Sequence, residues 1–81
     1  MNVQIQFYSY LREHAGCERL ARTVPPGTTL GQLHQQLCDE FPVLEQMRRA
    51  TLLAVGVDYQ PADHQLQDGD LVSLFPPVQG G

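Results

Sequence analysis

The stretch TTLGQLHQQLCDEFP, residues 28–42, limits what this chain can become, because it is the clearest helix signal in 81 residues otherwise patterned mostly for strands. Thr29 is placed to cap it, Gln32 sits three residues on to complete a capping box, and Pro42 stops it. Leu30, Leu33, Leu37 and Phe41 then share one face. A chain this short buries only ~60–65% of its unfolded surface and cannot divide its apolar residues between two cores, so the stripe must lie on a sheet made by the rest of the chain.

The strand signals fall on both sides of that helix. In NVQIQFY, Val3, Ile5 and Phe7 alternate with Gln4, Gln6 and Tyr8, which puts Tyr8 on the solvent side. SYLREHAG supports one or two helical turns ending at Gly16, and ERLARTV reads as a second strand before the turn of Pro25, Pro26 and Gly27. TLLAVGV reads as a strand buried on both faces or nearly so, and Asp68 to Asp70 as a turn into the last strand, LVSLFP. The expected class is α+β: a mixed sheet with one principal helix packed on one face, in a single domain spanning 1–81. If Val72 and Leu74 face the helix, then Leu71, Ser73 and Phe75 face away, on the side of Tyr8. Exposed aromatics there would mark a docking surface.

Charge and composition narrow the partners. A formal net charge of −4 argues against nucleic acid, which requires a basic surface. No apolar run approaches the ~20 residues of a membrane span, and nothing at Met1 resembles a signal peptide, so a cytoplasmic location and reduced thiols at Cys17 and Cys38 are expected. The chain has no lysine; its five basic residues are all arginines.

The ending FPPVQGG is the feature that folding explains least. No side chain from Leu71 to Gly81 is charged, which leaves the terminal carboxylate as the formal charge of that segment. Pro76 and Pro77 favour an extended course and aim the end outward. Gly80 and Gly81 lack Cβ atoms and can pass through a narrow channel. Val78 to Gly81, extended, reach about 13 Å, deep enough for a partner's active site. The segment 76–81 thus reads as a flexible functional tail, with Gly81 as the reacting residue: its carboxylate becomes a good acyl donor once adenylated, and a sulfur nucleophile can then take the acyl group. A Gly-Gly end is also what a frayed terminus looks like.

Other constellations carry less. His34 and Cys38 share a helix face and His14 lies near Cys17, but the spacings lack the CxxC or HxxxH pairs of a metal site, so no metal is expected. A reactive Cys–His pair needs an electropositive, partly exposed setting that the sequence does not provide. Asp68 and Asp70 read as turn formers. Arg48 and Arg49 read as solvated surface, and Arg12, near the open face, as a candidate for a bidentate contact with a partner carboxylate. No independent active site is expected.

These residues resemble the sulfur-carrier proteins of the ubiquitin-like β-grasp superfamily, and within it the small subunits of molybdopterin synthase. The similarity spans nearly the whole chain: the opening strand with Phe7 and Tyr8, LREHAG, TTLGQL, LLAV, LQDGDLVSLFPPV and the closing glycines. The ending DGDLVSLFPPVQGG is its specific part. The resemblance implies a β-grasp fold and a cycle in which an adenylyltransferase related to ubiquitin-activating enzymes, using ATP and magnesium, adenylates Gly81. A cysteine desulfurase and rhodanese-type sulfurtransferase then supply the sulfur of a thiocarboxylate. The tail would enter the large subunit of molybdopterin synthase, in a heterotetramer of two small and two large subunits, where cyclic pyranopterin monophosphate becomes molybdopterin. The catalytic side chains would belong to that large subunit, and this chain would bind no cofactor itself.

Carried over by position, Gly81 reacts, Gly80 is its thin neighbour, and Phe75, Pro76, Pro77, Val78 and Gln79 form the docking segment, with Tyr8, Tyr59 and Arg12 as further partner contacts. The chain departs from the family at Gly56-Val57-Asp58, where an asparagine is usual in the turn, and in having no lysine. The alternatives are a carrier serving thiazole, thiolated tRNA or cysteine synthesis, and a β-grasp binding module whose tail is never activated.

Overall fold

The computed structural model describes residues 1–77. Five strands and three helices follow in the order β1 (Asn2–Phe7), α1 (Leu11–Ala15), β2 (Arg19–Thr23), α2 (Leu30–Glu40), α3 (Pro42–Gln46), β3 (Leu52–Val55), β4 (Asp58–Tyr59) and β5 (Leu71–Phe75). The strands form one mixed sheet in the order β2-β1-β5-β3-β4, with β1 and β5 parallel at its centre and the other pairs antiparallel. This is the β-grasp arrangement, with α2 as its principal helix.

Alternation along the strands sorts the side chains as expected. Val3, Ile5 and Phe7 of β1 and Val72 and Leu74 of β5 are fully buried with Leu30, Leu33 and Leu37 of α2. Phe41, just past the helix, sets its ring edge-on to Phe7 with centroids 5.9 Å apart. On the same side, Arg22 of β2 reaches the end of α2, its Nη2 donating to Glu40 Oε2 at 2.6 Å.

The start of α2 is closed on every side. Thr29 and Gln32 form the capping box, with Gln32 N donating to Thr29 Oγ1 at 3.2 Å and Thr29 N to Gln32 Oε1 at 2.9 Å. A loop before β5 crosses over this end, and its Ala62 and His64 carbonyls each accept a backbone N–H, from Gly31 and Leu30, at 2.8 Å. The crossing is tight enough that a Cβ on Gly31 would lie 3.0 Å from that of Ala62. The helix N-terminus is therefore satisfied by the protein and offers no anion site.

Two sequence expectations are corrected. TLLAVGV is not one strand buried on both faces: β3 ends at Val55, and Leu52 is 39% exposed while Ala54 is buried. Gly56 and Val57 form a two-residue turn into β4, with Gly56 at φ 64°, a conformation a hairpin of this length needs and glycine adopts without strain. The departure from the family's turn residue leaves the hairpin intact. Pro42 does stop α2, but it also opens α3, because its fixed φ and missing N–H suit a first helical turn.

The aspartates behave as turn formers. Asp68 Oδ1 accepts from Asn2 N at 2.6 Å, Asp70 Oδ2 accepts from Gln67 N at 2.8 Å, and Gly69 N donates to Asn2 O at 2.7 Å. These bonds tie the entry of β5 to the start of β1 and so align the parallel pair.

Candidate functional site

The sheet face opposite α2 gathers three aromatic side chains at one end. Phe75, the last residue of β5, stacks on Tyr8 just past the end of β1, with ring centroids 4.5 Å apart and planes 15° from parallel. Tyr59 of β4 approaches Phe75 edge-on, with centroids 6.3 Å apart. Tyr8 N donates to Leu74 O at 3.1 Å, extending the β1–β5 ladder by one bond and fixing where the stack forms. Leu52, opposite Phe75 across the β3–β5 pair, adds an exposed aliphatic side chain, and Tyr59 is 67% exposed. An apolar cluster of this kind, left uncovered by the chain's own helices, is the chemistry of a docking surface.

The placement of the expected site residues is uneven. Tyr8, Tyr59 and Phe75 come together, and half-buried Pro76 and Pro77 continue directly from them. Val78, Gln79, Gly80 and Gly81 lie outside the described residues. Arg12, on α1, is exposed and turns back on its own segment, its Nε donating to Ser9 O at 3.3 Å. Leu52 was not anticipated. Reading LLAV with a period of two would have placed Leu52 and Ala54 on the open face and Leu53 and Val55 on the helix side, as the register shows.

The His34–Cys38 pair belongs to the structural interior. Cys38 is part of the core, and burial pushes its thiol above the ordinary range, opposed by the nearby Arg48 guanidinium. Burial of the thiol and its raised pKa both disfavour the thiolate on which nucleophilic attack depends. Among the described residues no three His, Cys, Asp or Glu side chains converge as a metal site would require. A depression of about 320 Å³ beside α3 is lined by Glu45, Gln46, Arg48, Arg49 and Ala50. It lies apart from the aromatic cluster, and its Arg48 faces Glu45 at 3.7 Å.

His34 carries a pH prediction. Its Nε2 is buried without a hydrogen-bond partner, and burial, reinforced by Arg48, holds its pKa below the ordinary 6.5. The folded protein therefore favours the neutral ring, whereas the unfolded chain takes up a proton at the ordinary value. Stability from this group is full above that value and is lost as pH falls through it towards the lower folded value. Replacing His34 with leucine is expected to flatten this acid limb in a melting series from about pH 7.5 to about pH 5. An unchanged limb would assign it to other groups.

Comparison with known proteins agrees with this architecture. A relative from Arabidopsis thaliana, a molybdopterin synthase sulfur carrier subunit, is 27% identical over the whole of this chain and 84% of its own length. One from Mycobacterium tuberculosis with the same description is 31% identical over the whole of this chain and 99% of its own. Among solved structures, the complex of subunits 1 and 2 of molybdopterin-converting factor from Helicobacter pylori contains a chain 26% identical, matched over the full length of both at a TM-score of 0.73. The model of the ThiS family matches residues 5–81, and on that match, together with these full-length relatives, the chain belongs to the ThiS family.

Proposed function

We propose that this chain is the sulfur carrier subunit of a molybdopterin synthase, with Gly81 as the residue that carries the sulfur. The observation that bears most on this reading is the convergence of Tyr8, Tyr59 and Phe75 at the end of β5, where Pro76 and Pro77 follow. A partner that grips the aromatic face receives the tail beside it. The relatives named as sulfur carrier subunits, and the Helicobacter complex of two converting-factor subunits, support a large synthase subunit as that partner.

The chemistry follows from the carboxylate. On an adenylyltransferase holding ATP and magnesium, the Gly81 carboxylate attacks the α-phosphate and pyrophosphate leaves. A persulfide sulfur from a sulfurtransferase or desulfurase then attacks the acyl carbon and displaces AMP. A thiol cleaves the resulting acyl disulfide, leaving the thiocarboxylate and a mixed disulfide. In a cytoplasmic heterotetramer of two small and two large subunits, the large subunit would use the delivered sulfur to build molybdopterin from cyclic pyranopterin monophosphate. This chain supplies the thiocarboxylate and the docking face and holds no cofactor of its own.

Intact-mass measurement tests the reading. The untagged chain is incubated with ATP, magnesium, an adenylyltransferase and a persulfide donor. A gain equal to sulfur replacing one oxygen is expected. No gain with several competent activating enzymes would leave a β-grasp binding module. A thiocarboxylate that forms, yet yields no molybdopterin with the large subunit, would place the carrier in another sulfur pathway.

A further inference from the structure

The register lines up one row of side chains across all five strands on the open face. Arg19 of β2 lies opposite Gln6 of β1, Gln6 opposite Ser73 of β5, Ser73 opposite Ala54 of β3, and Ala54 opposite Tyr59 of β4. The middle three are covered: Gln6 is 7%, Ser73 4% and Ala54 6% exposed. The row therefore has a low floor, with a cation at one end and an exposed aromatic ring at the other. Tyr8, Phe75 and Leu52 stand in the adjacent row.

Arg19 is exposed yet held in place. Its Nε donates to Gln6 Oε1 at 2.8 Å and its Nη1 to Gln4 Oε1 at 3.2 Å. Gln6 Nε2 donates in turn to Glu18 Oε1 at 3.4 Å, which fixes the amide with its oxygen towards the guanidinium. An arginine has five N–H donors. Two are used here, so three remain open among the described residues, including both on Nη2.

The partners of Arg19 are neutral side-chain amides, which sets it apart from the two arginines that face carboxylates. Arg22 faces the Glu40 carboxylate, Arg48 faces Glu45, and Arg12 turns back on the Ser9 carbonyl. Holding a long side chain in one geometry is part of the cost of binding, and here the folded protein has already met it. A guanidinium fixed by amides keeps both its charge and its outward donors, which is the state that receives a carboxylate in a forked pair.

We propose that Arg19 is a second anchor of the docking face, taking the carboxylate of an aspartate or glutamate on the partner protein while the Phe75 cluster takes an apolar side chain. The two anchors stand two strands apart, about 10 Å across the sheet, and one row apart, about 7 Å along the strands. One apolar and one charged point at that separation define the rotation of the partner as well as its position. A partner turned the other way would leave a cation facing apolar surface. The anchor rests on the carrier reading above, which supplies the identity of the partner.

The test titrates the large subunit of the synthase with the full chain, with Arg19→Gln and with Gln6→Met, each at several salt concentrations, after melting curves establish that the variants fold. Arg19→Gln is expected to weaken binding about tenfold and to flatten its salt dependence, because a charge pair has gone. Gln6→Met keeps the charge but frees it to move, so a smaller loss is expected, about two- to threefold, with the salt dependence retained. Equal binding and equal salt dependence for Arg19→Gln and the unaltered chain would overturn the anchor and leave the amide ladder as edge-strand solvation. Failure of the unaltered chain itself to bind would instead remove the large subunit as partner, and the anchor with it; that outcome is distinct because chain and variant are then alike.

Discussion

Deleting Gly81 alone is expected to leave the melting temperature unchanged and to lower thiocarboxylate formation at least a hundredfold. The described core and sheet ladders are made within residues 1–77, and β5 ends at Phe75, six positions before Gly81. The deletion still leaves a terminal carboxylate, now on Gly80, with the same intrinsic reactivity. What changes is its reach, shortened by about 3.3 Å. A misplacement of about 1 Å at a reacting centre can cost a hundredfold, so a carboxylate that falls a whole residue short of the ATP α-phosphate is out of position for attack. Intact mass and a thermal melt of the same sample read both halves of the prediction. A truncated chain that still acquires sulfur at the normal rate would show that position along the tail does not matter, and would sink Gly81 as the carrier.

Replacing Phe75 with alanine is expected to weaken large-subunit binding by about 30- to 100-fold, the size of a central aromatic anchor at about 2–3 kcal/mol. The ring is half-buried and serves two purposes, so stability falls as well. A fully buried Phe→Ala change costs about 3–5 kcal/mol. Phe75 keeps one face and one edge on Tyr8 and Tyr59 but is not inside the core, so about 1–2 kcal/mol is expected, or roughly 5–15 °C in a domain of this size. That loss is smaller than the ~5–15 kcal/mol by which domains are ordinarily stable, so the variant is expected to remain folded at room temperature. Calorimetric titration beside a thermal melt separates the two effects: an affinity change no larger than the unfolded fraction explains would assign Phe75 to stability alone.

Most of the architecture is legible in the chain itself, and the reason is local consistency. The alternation of Val3, Ile5 and Phe7, the Thr29–Gln32 box and the stripe of Leu30, Leu33 and Leu37 each state a period and a face, and the structure honours all of them. Tyr8 and Phe75 could be put on one face by the same parity, and they stack there. What stayed hidden needs contacts distant in sequence. β4 is two residues long and exists by pairing with β3, and the loop over the start of α2 is held there by backbone bonds to Gly31 and Leu30. α3 follows a proline that reads equally as an ending. Arg19 looked like any arginine on a strand; its relation to Gln4, Gln6 and Tyr59 is a matter of register, which periodicity along one strand does not contain. Arg12 drew attention by nearness in sequence to the open face, yet its described contact is with its own turn.

The central position of β5 also decides how the domain answers a pull. Tension applied at Gly81 enters through a strand with a neighbour on each side, parallel β1 and antiparallel β3. The ladder bonds run across the direction of pull, so they must shear together rather than unzip one after another as they would at an edge strand. Anything that pulls on the end of the chain therefore meets first the resistance of a strand paired on both sides. The handle of the molecule is fastened to the centre of its sheet.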